Sequence, residues 1–347
     1  YCYRAKGSPV KAEPDDALIK RTCDFILSNS NLTKRVTFHG GEPLLQQNII
    51  KQFISAFEGH GITNILYTNG TLLDRIDPWI LKKVSYITVS IDGNEDIHDK
   101  YRGQGTYQKI IGNIHKIRSM YNGHIMGRIT LSIDSESSLD KAVISLLQTK
   151  VFDSINWQIQ NSPGPFAPAV LSRFRTNYQR QLVSIISLWM AALSNGSVLN
   201  ILPIQCAVRT CTTAESFDTF RCGCGTSLIF VDLTQEGACY ACDELVDEGL
   251  YKIGSVSDGV VMPNNLKHAS INSECAGCEI QSFCGGRCLR SCVVLPKNMF
   301  HFYCESVKIM YHSLMPMMID IKKIIGSKKS LQEKVFCAAL DLIEGIP

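Results

Sequence analysis

The tightest constraint on the fold is the run Cys275-Ala276-Gly277-Cys278, then five residues to Cys284, three to Cys288, and Cys304 further on. Thiolate-forming ligands at these spacings let one loop wrap an iron-sulfur cluster or zinc. This part of the chain must therefore fold around what it binds, not around an extended apolar core. Only two of the 15 cysteines, Cys2 and Cys23, precede Cys206. Disulfide scaffolds are usually much shorter and staple the whole fold, so these cysteines point to a local, metal-binding task.

The rest of the chain has a different rhythm. Strands are expected at Arg35 to His39, Thr63 to Thr68, Tyr86 to Ile91, Gly127 to Ile133 and Ser154 to Gln160, with helices near 15–29, 46–58, 72–83, 107–121 and 138–149. Strand followed by helix at this pace predicts an α/β fold with a parallel sheet wrapped by helices, and Cys2 would lie just after a sixth strand. A helical stretch from Leu171 to Ser194 ends at Asn195-Gly196, a plausible helix stop. At 347 residues, 45% apolar and 19% charged, two domains are expected. A formal charge of +3 is too mild to favour nucleic acid or an anionic membrane as partner. No apolar run reaches the roughly eighteen residues that span a bilayer, so the chain reads as soluble. It begins Tyr1-Cys2-Tyr3 without Met, so a native start, with any targeting signal, is expected upstream.

In parallel sheets of this kind the ligand sits at the carboxyl ends of the strands. There His39-Gly40-Gly41-Glu42-Pro43 combines glycines that let a ligand approach the backbone with a carboxylate for a cationic group. The next two strands end in Thr68-Asn69-Gly70 and Ser90-Ile91-Asp92-Gly93, which adds small polar groups to the same rim. Blander readings stand beside these. Glu42 could be a solvated helix-start carboxylate, His39 could merely pack, and His98 and Arg102 could form a surface salt bridge.

Gly40-Gly41-Glu42-Pro43, Thr68-Asn69-Gly70, Ser90-Ile91-Asp92-Gly93 with His98-Asp99-Lys100-Tyr101-Arg102, and the Cys275 to Cys304 array, in this order, resemble the radical S-adenosylmethionine (SAM) enzymes with a SPASM auxiliary-cluster domain. The resemblance spans roughly residues 1 to 310. It implies a partial (β/α)6 barrel over 1–198 without its first strand, a small cysteine-rich SPASM-like domain over 199–310, and C-terminal helices over 311–347. Cys2 looks like the last cysteine of the Cys-x3-Cys-x2-Cys loop that holds the catalytic [4Fe-4S] cluster. The other two are absent from the chain, so as given it is expected to be an inactive, N-terminally truncated piece of an active enzyme. Glu42 matches the position that meets the methionine ammonium of SAM, with Gly40, Gly41, Pro43, Asn69 and Asp92 around it. Ser90 lies where a polar group meets the ribose or carboxylate, Arg128 could pair with the carboxylate, and Tyr3 would lend backbone contacts to adenine.

The resemblance further implies two auxiliary [4Fe-4S] clusters. Cys275, Cys278, Cys284 and Cys304 look like ligands of the outer one. Cys288 crosses over to join Cys222 and Cys242 at the inner one, whose fourth ligand stays open among Cys224, Cys211 and Cys206. Cys239, Cys292 and Cys337 read as structural. Asp243, after Cys242, resembles the proposed base of the anaerobic sulfatase-maturing branch, although a turn-capping role is a serious alternative. Two departures argue against that branch: His39 stands where those maturases have Gln, and Arg4 where they have Tyr. The implied activity is hydrogen-atom abstraction from a peptide or protein, served by a reducing electron donor such as a flavodoxin or ferredoxin in an anaerobic, cytoplasmic setting. Alternatives are formylglycine formation, modification of a small metabolite, and a zinc-stapled, non-catalytic binding module.

Overall fold

A computed structural model describes residues 14–29, 33–134, 138–213, 229–246, 251–261 and 273–337. Five parallel strands, β1 (Arg35–Phe38), β2 (Thr63–Thr68), β3 (Val84–Ser90), β4 (His124–Leu131) and β5 (Ser154–Ile159), lie in sequence order in one sheet. Their positions agree with the expected strands to within a few residues. The sixth strand expected before Cys2 falls outside the described residues.

Helix α1 (Asp16–Ser28) precedes β1, and the helices that link the strands are α2 (Gln47–Phe57), α3 (Pro78–Lys83), α4 (Glu95–Arg102), α5 (Thr106–Arg118) and α6 (Leu139–Thr149). Local chemistry sets their starts. The Asp15 carboxylate accepts from Leu18 N at 2.7 Å to cap α1, and Asp77 accepts from Trp79 N at 2.8 Å ahead of Pro78, a residue suited to the first turn. The long helix α7 (Pro168–Ser194) packs fully buried Trp189 into the main core, and its Tyr178 hydroxyl meets Trp157 Nε1 of β5 at 3.3 Å. After α7 the chain passes beside β5, where Ile155 N donates to Asn200 O at 2.8 Å, and enters α8 (Leu202–Thr212).

The cysteine-rich part holds order that its sequence does not advertise. Short strands β6 (Phe230–Asp232), β7 (Ala238–Tyr240), β8 (Lys252–Ser255) and β9 (Gly259–Val260) form an antiparallel sheet. Two short helices, α9 (Gln281–Cys284) and α10 (Leu289–Val293), lead to α11 (Lys297–Leu314), α12 (Met318–Ser327) and α13 (Lys329–Val335). These last three share the main core with the sheet and α7. Cys239 and Cys242 sit instead in a second core with Leu18, Leu245 and Leu289. Among the described residues no helix is long and apolar enough to cross a membrane.

Candidate functional site

The carboxyl ends of the parallel strands gather the predicted rim. Glu42 follows β1, and its carboxylate is pinned to the end of β2: one oxygen accepts from Thr68 Oγ1 at 2.8 Å and Leu44 N at 3.1 Å, the other from Asn69 N at 2.8 Å. A carboxylate offers about four acceptor positions. These three protein donors aim Glu42 and leave acceptor capacity for a cationic group. A Cβ built on Gly40 or Gly41 would meet no atom within 4 Å, so these glycines border open space above the loop. Pro43 starts the helical turn that follows. Asn69 turns back on itself, its side-chain oxygen accepting from Thr71 N at 2.9 Å.

Ser90 ends β3 half-buried, in register with Arg128 of β4. Arg128 lies over the Tyr67 ring, 5.8 Å from its centroid, and donates to Gln158 of β5. Asp92 has a different environment. It is buried, binds Arg102 through both oxygens and accepts from Thr130 N at 2.9 Å, so it fastens β4 and α4 under the rim. This is no surface salt bridge, since the Asp92 side chain is only 1% exposed. His98, buried beside it, accepts from Asp92 N at 3.2 Å, and burial pushes its pKa below the usual histidine value.

The cysteine-rich part closes on this mouth. Asp243 Oδ2 lies 3.9 Å from His39 Nδ1, and His39 stands edge-on to Tyr67. Glu244 accepts from Asn161 Nδ2 at 2.7 Å in the loop after β5 and pairs with Arg290 at 3.5 Å. Arg290 also reaches Asn161 O at 3.3 Å. A second tie runs through Tyr303, whose hydroxyl donates to Gln160 O and accepts from Ser162 N at 2.9 Å.

Cys275, Cys278, Cys284 and Cys304 line one cavity of ≈ 30 Å³, shared with Ile280, Arg287 and Lys308. That is room for roughly two water-sized bodies. Burial pushes the Cys304 thiol up to about 12; Arg287 opposes the shift, and Cys284, Cys275 and Cys278 add to it. Among the described residues no three His, Cys, Asp or Glu side chains close on a point as a lone metal ion requires; these four thiols ring a space instead. Glu274 holds their loop to α11 by accepting from His301 at 2.6 Å and pairing with Lys297 at 3.0 Å.

For the other predicted ligands the picture is split. Cys242 packs in the second core alongside Leu289, the neighbour of Cys288, so those two segments meet. Cys211 packs against the main core, and Cys206 is buried on α8. Cys2, Tyr3, Arg4, Cys222 and Cys224 lie outside the described residues. Sequence reasoning missed Tyr67, Gln158, Glu244, Arg287 and Arg290. Arg287 could have been noticed as the one charge inside the Cys284 to Cys288 spacer; Gln158 carries no local signal.

Comparison with known proteins adds to this geometry. Residues 1–142 match the Radical SAM superfamily. The chain is similar to a cysteine-type anaerobic sulfatase-maturating enzyme of Clostridium novyi, 24% identical over 80% of this chain and 77% of that one. It is also similar to a serine-type counterpart of Bacteroides thetaiotaomicron, 24% identical over 95% and 89%. In structure it resembles anSMEcpe with bound AdoMet and Cp18Cys peptide, at TM-score 0.72 and 20% identity over 90% of this chain and 92% of that one.

Proposed function

The chain carries a radical SAM domain and is related to the anaerobic sulfatase-maturating enzymes, and from that premise we propose that it modifies a peptide or protein by taking a hydrogen atom from one substrate residue. The observation that carries this reading is the meeting of Asp243 with His39 at a mouth already ringed by Glu42, Ser90 and Arg128. A carboxylate from one half of the molecule thus stands over the ligand-binding rim of the other.

SAM fits the rim: Glu42 would take its ammonium group, Ser90 and Arg128 its carboxylate or ribose, and the open face of Gly40 and Gly41 its body. Bound beside a [4Fe-4S] cluster, for which Cys2 is the expected ligand in this chain, SAM would supply the carbon-radical chemistry. The chain's own task is to orient and to exclude water. Glu42 is held by three donors before any ligand arrives, and Arg128 is steered by Gln158 and the Tyr67 face. Asp243 Oδ2 can take up the proton that leaves as the substrate loses an electron, with His39 near enough to share it.

Residues 199–310 read as the auxiliary-cluster unit. Four thiols around one cavity, beside the radical SAM match, favour an iron-sulfur cluster over zinc. A peptide substrate is supported by anSMEcpe having been captured with a peptide. The Cys242-Asp243 pair favours formylglycine formation as a second reading, and His39 in place of Gln argues for a different target sequence.

The test is anaerobic reconstitution of the full-length protein. Twelve irons per chain, about three four-iron clusters, and release of 5′-deoxyadenosine on adding reductant and SAM are expected. Zinc without sulfide, or no 5′-deoxyadenosine, would overturn the reading. A Cys- or Ser-bearing sulfatase peptide that gains no aldehyde would remove the second reading alone.

A further inference from the structure

One residue of the cysteine array is not among the expected ligands, yet it stands at both the four-thiol cavity and Tyr303. Arg287 lies in the spacer between Cys284 and Cys288 and lines the cavity of Cys275, Cys278, Cys284 and Cys304. Its backbone carbonyl is approached by Cys292 Sγ at 3.5 Å. The residue keeps some exposed surface, but its Nε is wholly enclosed. Its guanidinium lies 5.5 Å from the centroid of the Tyr303 ring, the same tyrosine whose hydroxyl is fixed to Gln160 and Ser162 after β5.

Enclosing a guanidinium opposes its charge. Arginine stays protonated in any case. The result is a permanent positive charge beside the four-thiol cavity, with the Tyr303 ring against it. Lys308 also lines the cavity, but its side chain is 31% exposed and is engaged by Glu305 at 3.2 Å. Water screens a charge so placed more than it screens a guanidinium whose Nε is enclosed.

Resting on the reading that this cavity holds an iron-sulfur cluster, we propose that Arg287 is a positioning residue whose charge favours the reduced form of that cluster and so raises its reduction potential. Reduction adds one electron, and so one negative charge, to a group already carrying four thiolates. A fixed cation against those sulfurs lowers the energy of the added charge, as burial and hydrogen bonding to sulfur are known to tune such centres. Tyr303 holds the guanidinium from its far side through the ring face, and the ties to Gln160 and Ser162 keep that ring in place. The charge is thereby set by the packing between α11 and the loop after β5.

The experiment uses the full-length protein, as wild type, Arg287→Gln and Arg287→Lys, each reconstituted anaerobically. Iron and sulfide are counted first, and the clusters are then titrated with dithionite, one electron per cluster, and followed by electron paramagnetic resonance. In R287Q one reduction step is expected to move to lower potential at unchanged iron content, while R287K stays near wild type. Should R287Q retain no iron while R287K keeps its full complement, the site requires the charge, which supports the proposal. Equal loss of iron from both variants, or full iron with unaltered potentials in R287Q, overturns it. A wild-type chain without iron and sulfide would instead sink the cluster reading on which the proposal rests.

Discussion

At the scale of single residues, what distinguishes a candidate ligand group from a structural one is where its hydrogen bonds go. Glu42 and Asp92 are both carboxylates beside glycines at strand ends, and both resemble cofactor residues. Asp92 spends its oxygens on Arg102 and Thr130 inside the protein, while Glu42 is aimed by its neighbours and keeps room for a partner. Glu42→Gln removes the charge but keeps the shape, and a charged hydrogen bond is worth about 1.5–3 kcal/mol. SAM affinity in equilibrium dialysis is then expected to fall roughly ten- to hundred-fold with the fold intact; unchanged affinity would contradict the assignment. Gly93 is fixed by the backbone: its φ is +113°, and an added Cβ would stand 2.6 Å from Ala142 Cβ and 2.9 Å from its Cα. Gly93→Ala should cost about 2–3 kcal/mol from strain and clash, seen as a lower urea midpoint.

At the scale of elements, the turn from α4 into α5 is tied by Asp99, which accepts from Tyr107 N at 2.9 Å and Gly105 N at 2.6 Å. The Tyr107 bond, aided by that of Gly105, holds the carboxyl below its ordinary value of 3.8. Because the folded pKa is the lower one, this stabilisation is complete above the ordinary carboxylate range and is lost as pH falls through the depressed value. Asp99→Asn should therefore lower the melting temperature at neutral pH and flatten its decline below about pH 4. Parallel profiles for the two proteins would show that the linkage is absent. The tie between α11 and the loop after β5 depends on one hydroxyl. Tyr303→Phe leaves the ring under Arg287 but strips Gln160 O and Ser162 N of their partner, a loss of about 1–3 kcal/mol by denaturant unfolding.

At the scale of the whole molecule, the parallel sheet and its helices close on an apolar core, and on the proposed reading a cluster among Cys275, Cys278, Cys284 and Cys304 adds to what holds the cysteine loop on that core. Cys304→Ser should lower the iron of the reconstituted chain by about four per chain, the content of one cluster. Stripping iron with a chelator should expose the 273–304 segment to protease and leave the barrel resistant, since binding energy is folding energy only where the site is the core. Uniform cleavage along the chain would refute that division.

Sequence alone determined the parallel sheet and the polar rim at its strand ends, because β-branched runs with glycine-bearing ends alternate with helical stretches at a regular pace, whereas the strand order is read from the pairing. The sequence also pointed, through cysteine spacing, to a metal-binding loop, in which the family resemblance singles out Cys275, Cys278, Cys284 and Cys304. It did not reveal α4, whose eight residues are mostly charged, or the β6 to β9 sheet, whose strands are two to four residues long and too short to show a period. Only the tertiary structure decided that Asp243 stands against His39, that Asp92 faces inward, and that Arg287 lies between the thiols and Tyr303. Those are contacts between segments far apart in the chain, set by how helices and loops pack across the mouth, and no local pattern encodes that.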